Sequence, residues 1–122
     1  MTRRPAAALL LLGVLACGQG FARDAPPTRN QLYGAIAYHH PSGSIGWATD
    51  RRTSREARTE ALKLCRHDKC EIAATVTRGC VALAKDLKKF VTQRGTTRQE
   101  AETKVMRRCG ERCEIVAWTC TR

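Results

Sequence analysis

The sequence predicts an α+β domain built from a duplicated hairpin-helix-strand unit, a mainly antiparallel sheet with two helices on one face, stapled by disulfides. Three observations predict it. Thr53-Ser54-Arg55-Glu56-Ala57 leads through a helical pattern to Cys65 and then Cys70-Glu71-Ile72-Ala73-Ala74; forty-four residues on, Thr97-Arg98-Gln99-Glu100-Ala101 leads to Cys109 and then Cys113-Glu114-Ile115-Val116-Ala117. Within each copy the apolar spacing passes from a helical stripe to a β-rich run. Six cysteines fall in the folded part, an even number that suits three bridges. A helix with one apolar stripe and strands with one apolar face bury best as two layers.

The chain divides into a leader, a tether and one domain. Residues 1–22 read as a signal peptide: Arg3 and Arg4 are followed by an apolar run from Ala6 to Ala16, too short for the ~20 residues that span a bilayer. Two cuts compete. Val14-Leu15-Ala16-Cys17 resembles a lipoprotein signal that would make Cys17 a lipidated first residue, whereas Gly20-Phe21-Ala22 offers ordinary cleavage before Arg23. Residues 23–31, with Pro26-Pro27 and no periodic apolar face, read as a linker, and 32–122 as a single domain.

The first element of the domain is a hairpin. Tyr33-Gly34-Ala35-Ile36-Ala37-Tyr38 alternates as a strand, Pro41-Ser42-Gly43-Ser44 turns it, and Ile45-Gly46-Trp47-Ala48 returns. Thr53 and Glu56 form a capping box that opens a helix over 54 to about 66, with Ala57, Ala61, Leu64 and Cys65 on its buried stripe. Residues 66–69 are a polar loop and 71–77 a strand, broken at Arg78-Gly79. Cys80-Val81-Ala82-Leu83-Ala84 echoes the first strand, 86–89 supplies a turn, and 88–92 a weaker partner. A second capping box, Thr97 with Glu100, opens a helix whose Ala101, Val105, Met106 and Cys109 match Ala57, Ala61, Leu62 and Cys65. Gly110-Glu111-Arg112 is the loop, and 114–119 the last strand.

Seven cysteines in a small chain with a leader point to an oxidising compartment. Cys17 either leaves or carries lipid, and the duplication pairs the rest: Cys65–Cys70 in one copy, Cys109–Cys113 in the other and, by remainder, Cys80–Cys120. Such a chain buries about two-thirds of its unfolded surface, so the bridges carry much of its stability. The formal charge is +11, and +9 after a cut before Arg23, since Arg3 and Arg4 leave with the leader. That excess favours acidic partners, a protein or an envelope polymer.

Chemistry is sparse. Cys65, Cys70 and His67 have a zinc-like spacing, but the second copy has no matching histidine and exported thiols oxidise, so no metal is expected. His39, His40 and His67 are the residues a small hydrolase would use, yet no nucleophile or paired carboxylate lies beside them in sequence, and no cofactor motif occurs. Trp47 and Trp118 read as core or disulfide packing before ligand platforms. Arg51, Arg52, Arg107, Arg108 and Arg112, with Trp47, form the candidate binding surface. Nucleic acid is disfavoured by the few aromatics.

Tyr33-Gly34-Ala35-Ile36-Ala37, Gly43-x-x-Gly46-Trp47, Ser54-Arg55-x-Ala57, Cys80-Val81-Ala82-Leu83-Ala84 and Cys113-x-Ile115-x-x-Trp118-x-Cys120 together resemble the bacterial domain-of-unknown-function 4189 family, over about residues 33 to 121. The resemblance implies a small exported protein and a fold, and it brings no established activity or catalytic residues with it. This chain departs from it in its basicity and in Lys88-Lys89-Phe90-Val91, where many relatives carry a Gly/Trp-rich second hairpin. The expectation is a non-enzymatic binding module of the bacterial envelope, in the periplasm, anchored to the outer membrane as a lipoprotein, or extracellular. It would touch a membrane only through a lipid on Cys17. The alternatives are a periplasmic immunity or inhibitor protein against a toxin or hydrolase, and a small secreted hydrolase.

Overall fold

The computed structural model describes residues 31–122, so the leader, Cys17 and nearly all of the linker lie outside the described residues. The elements run β1 (Tyr33–His39), β2 (Ser44–Arg51), α1 (Ser54–Cys65), β3 (Glu71–Thr77), β4 (Gly79–Lys85), β5 (Phe90–Gly95), α2 (Arg98–Cys109) and β6 (Glu114–Thr121). This is the expected hairpin-helix-strand order, twice.

Both helices start where the capping boxes place them. Thr53 Oγ1 accepts from the Glu56 amide at 3.0 Å, and Thr97 Oγ1 from the Glu100 amide at 3.1 Å. The Glu100 carboxylate also reaches back to the Thr96 hydroxyl at 2.6 Å. The buried stripes are Ala57, Ala61, Cys65 and Ala101, Val105, Cys109. Leu64 is a correction: it is 45% exposed instead of lying on the stripe. Small residues on the stripe let the α1 backbone settle directly against β2, and a leucine to one side then overhangs the sheet instead of pointing into it.

Three strands form each of two antiparallel sheets, in the orders β2-β1-β3 and β5-β4-β6. The duplicated, stapled α+β design holds, but the layers differ from one sheet with both helices on one face. The two sheets pack against each other through Ile36, Tyr38 and Val76 on one side and Val81, Leu83 and Ala117 on the other. Helix α1 covers the outer face of the first sheet over Ala35, Ala37 and Ala48, and α2 the outer face of the second over Ala82 and Ala84. The reason lies in the central strands. β1 and β4 are apolar on both faces, so each sheet needs cover on both sides.

The register shows the duplication as geometry. β1 pairs with β3 through a shift between Ile36 and Ala37, and β4 with β6 through a shift between Leu83 and Ala84. Ile36 therefore corresponds to Leu83. By the same pairing, Trp47 corresponds to Thr92 and Thr75 to Trp118.

The three bridges are the expected ones: Cys65–Cys70, Cys109–Cys113 and Cys80–Cys120. The two short ones tie each helix's last residue to the loop before the following strand. Cys80 and Cys120 are directly opposed across β4 and β6, with Cα atoms 4.0 Å apart. The matching pair in the first copy is Tyr33 and Thr77. With alanine-rich cores under both helices, the bridges supply what larger side chains do elsewhere.

Candidate functional site

β2 is an edge of one sheet and β6 an edge of the other, and the two edges lie side by side. Thr119, buried on β6, donates its hydroxyl to the Ala48 carbonyl at 3.3 Å, which leaves it to accept from Thr49 Oγ1 at 2.7 Å. The Arg122 amide donates to Asp50 Oδ1 at 3.2 Å, closing one end of the seam. Along the seam runs a cavity of about 320 Å³ floored by Val116, Ala117 and Thr119 and flanked by Trp47 and Trp118.

Both indoles are open to solvent, Trp47 at 52% and Trp118 at 39% exposure. The expectation that they pack in the core is corrected here. Each sits on an edge strand, where one side of the ring has no neighbouring strand to cover it. The Arg98 guanidinium lies 3.9 Å over the Trp118 ring, and its Nε donates to Glu102 Oε1 at 2.7 Å. Arg98 thus holds the indole by one face and is itself held by a carboxylate one turn along α2.

Across the sandwich the other two edges, β3 and β5, enclose the counterpart of this groove. It is lined by Ala73, Ala74, Val81, Thr92, Gln93 and Arg94, at about 360 Å³, and Arg94 Nε donates across it to the Thr75 carbonyl at 2.7 Å. The two grooves share their register and differ in lining. Where the first carries Trp47 the second carries Thr92, and the register position of Trp118 is taken on β3 by Thr75, whose carbonyl receives the Arg94 bond.

The five candidate arginines are not brought together. Arg51, at the end of β2, pairs with Glu60 at 3.5 Å, and Arg52 follows it at the start of α1. Arg107 and Arg108, in the last turn of α2, and Arg112 in the loop beyond it lie at the opposite end of the molecule. Trp47 stands apart from both sets, in the groove.

The histidines do converge, at the end where both hairpins turn. The His39 and His67 rings stack with centroids 4.0 Å apart, and Tyr38 meets Phe90 edge-on at 5.0 Å. Tyr38 also bonds His40 Nδ1 through its hydroxyl at 3.1 Å. Desolvation in the stack, followed by the charges of His67 and Lys69, lowers the His39 pKa. Burial, followed by the Glu114 charge, raises that of Tyr38. Ser42 Oγ lies 2.6 Å from His39 Nδ1, but that oxygen also accepts from the Ser44 amide and bonds the Ser44 hydroxyl, the contacts of a tight turn. Zinc has no thiolate to bind beside His67, because Cys65 and Cys70 are joined, and no group of three metal-ligating side chains occurs among the described residues.

A family model described as a domain of unknown function (DUF4189) matches residues 33–120. The chain belongs to that family. Its fold is similar to the NMR structure of Rv1813c from Mycobacterium tuberculosis, at 30% identity and a TM-score of 0.59, over 98% of this chain and 99% of that one. No curated protein matches the chain. For this DUF4189 domain the three disulfides suit an oxidising, exported setting. No helix among the described residues is long and apolar enough to cross a membrane. Sequence reasoning named Trp47 but missed the groove and the part Arg98 plays in it. The signal was the pair of edge-strand tryptophans, unmatched by their repeat counterparts.

Proposed function

We propose that this DUF4189 protein is a non-enzymatic binding module of the bacterial envelope, and that the groove between β2 and β6 is its contact surface for an acidic protein. One observation carries the reading: two grooves with the same register have different linings, and the open aromatic side chains are confined to one. The second groove is closed by threonine, glutamine and arginine, so the fold does not need tryptophan at these positions. Two half-exposed indoles flanking a cavity have the character of interface anchors, whose burial against a partner recovers apolar area now facing water. The chain's formal charge of +11, with Arg98 stacked beside the groove, favours an acidic surface on that partner.

Supporting a role without catalysis, the one serine-histidine contact at the hairpin end is accounted for by its turn, and the His39 ring face is covered by His67. An inhibitor of a secreted toxin or hydrolase would use the same groove, and the identity of the bound protein decides between the two roles.

The test places a photo-crosslinking side chain at position 47 or 118, and at 92 in the second groove as control, in cells that export the protein. Adducts with one acidic protein from 47 and 118 alone are expected. They should disappear when Trp47→Thr and Trp118→Thr put at these positions the residues that their register counterparts carry. Equal adducts from position 92, adducts with a polymer in place of a protein, or a partner kept by the double threonine variant would each overturn the reading.

A further inference from the structure

The end of the molecule opposite Arg51 and Arg52 has a second character, independent of the groove. Both hairpin turns, both helix C-termini and both short disulfides meet there: β1 ends beside Glu71 of β3, β4 ends beside Glu114 of β6, and Phe90 touches Tyr38 and His40 across the two sheets. At its tip the β4–β5 turn holds out Leu87, 97% exposed. The turn is firmly built. Asp86 Oδ1 accepts from the amides of Lys88 at 2.7 Å and Lys89 at 2.8 Å, and the Asp86 amide donates to the Lys89 carbonyl at 3.0 Å. These backbone bonds hold the Asp86 carboxyl below its ordinary range, so it stays ionised inside the turn. Leu87 is therefore presented, fixed and uncovered, between Lys85 and the exposed Lys88 and Lys89, with the half-exposed ring of Phe90 behind it.

Cations are gathered at this end of the molecule. Lys63 and Arg66 close α1 and Lys69 follows in its loop; Arg107 and Arg108 close α2 and Arg112 follows in its loop. With Lys88 and Lys89 that makes eight exposed basic side chains, and none of them forms a salt bridge among the described residues. Of the acids at this end, Glu114 is engaged by Lys85 at 3.8 Å, Asp68 faces His67 at 3.4 Å, and Asp86 is turned into its own loop; Glu71 and Glu111 complete the set. Five of the chain's six lysines lie here, Lys104 being the exception. Helix dipoles explain basic residues at helix ends, but not a bare leucine held out at the same end.

We infer that this end docks on an anionic lipid surface, with Leu87 entering the interface and the lysines and arginines meeting the headgroups. An acidic protein or soluble polyanion would be served by the charges alone. A single protruding leucine at the tip of a turn, on an end rich in long basic side chains and outside the hollow that Tyr38, His40, Lys69 and Phe90 line, matches the layered chemistry of a bilayer interface, where apolar tips sink and basic heads remain at headgroup level.

The experiment floats the protein as exported, with the N-terminus that processing leaves, against phosphatidylcholine vesicles with and without phosphatidylglycerol. A lipid on the N-terminus would bind both vesicle types alike, so the difference between them isolates the tip. Binding should exceed the neutral value only with phosphatidylglycerol and fall with added salt. Leu87→Asp should lower that excess by about tenfold, and Lys88→Glu and Lys89→Glu by about fivefold each or more. Equal binding to the two vesicle types overturns the inference. So does undiminished binding of Leu87→Asp, which would leave the charges alone as the contact and take the leucine out of it. The tryptophan groove is untouched by these variants, so either proposal fails without the other.

Discussion

Replacing Gly46 with alanine tests whether α1 is seated on β2 as described. Gly46 is buried in β2 beneath the last two turns of the helix. A Cβ there would fall inside contact with the Ala61 carbonyl oxygen and the Cys65 amide nitrogen, and 2.8 Å from the Leu64 carbonyl carbon. All three are helix backbone, which cannot turn aside as a side chain can. Restoring ordinary carbon contacts of ~3.5–4 Å requires the helix to withdraw by about 1.5 Å. Cys65 resists that movement because its sulfur is tied to Cys70, and Ala57 and Ala61 lose their contact with Ala35 and Ala37 as the helix lifts. An added methyl in a packed core costs about 1–3 kcal/mol, and a backbone-on-backbone clash belongs at about 3. For a domain of this size that lowers Tm by roughly 10–25 °C. Thermal unfolding followed by circular dichroism, with the bridges checked intact by mass spectrometry, measures it. A fall of less than about 3 °C would refute the close seating of α1 on β2.

Gly95→Ala should act in the same way at the start of α2, where a Cβ would stand 2.6 Å from the Ala101 amide nitrogen, and the same thermal scan reads it. Removing the Cys80–Cys120 bridge by double alanine substitution should cost about 4 kcal/mol in urea unfolding and removing Cys109–Cys113 about 2, because the first closes a far longer loop; the reverse order would contradict the chain-entropy account. Trp47→Ala should cost about 2 kcal/mol, below the ~3–5 typical of a fully buried aromatic, since half the ring already faces water. Glu100 is held down to about 2 by Lys104 first and then by Thr96. A depressed carboxyl contributes stability above its unfolded value of 4.5 and loses it as pH falls toward 2, so Glu100→Gln should flatten the stability profile in that window and leave its shape near neutrality unchanged.

What was legible in the sequence was whatever one copy of the repeat contains. The capping threonines, the Ala57-Ala61-Cys65 and Ala101-Val105-Cys109 stripes and the short bridges are local, set by residues within a turn or a loop of each other, and they stand in the structure as read. The stacking of two sheets was also written there, in strands apolar on both faces. Ile36 and Leu83 between alanines require cover above and below, yet a pattern of helices and strands read as two layers passes over it. Leu64 failed for a related reason: periodicity gives a face, but the width of that face depends on how closely the helix sits, and Gly46 brings it closer than leucine allows.

The groove belongs to neither copy. Trp47 stands opposite Thr92 when the repeats are aligned and Trp118 opposite Thr75, so along the chain they are two unrelated departures on different strands. Only the stacking of one sheet on the other lays the β2 edge beside the β6 edge and turns the two departures into one site. The Thr49, Thr119 and Ala48 contacts that join these edges likewise span the two copies. A tryptophan on a strand is read as core because most strands are covered on both sides, and edge status is a property of sheet order, which local pattern does not contain. In this duplicated fold, then, the scaffold is found where the copies agree, and the proposed contact surface where they differ and the fold brings the differences together.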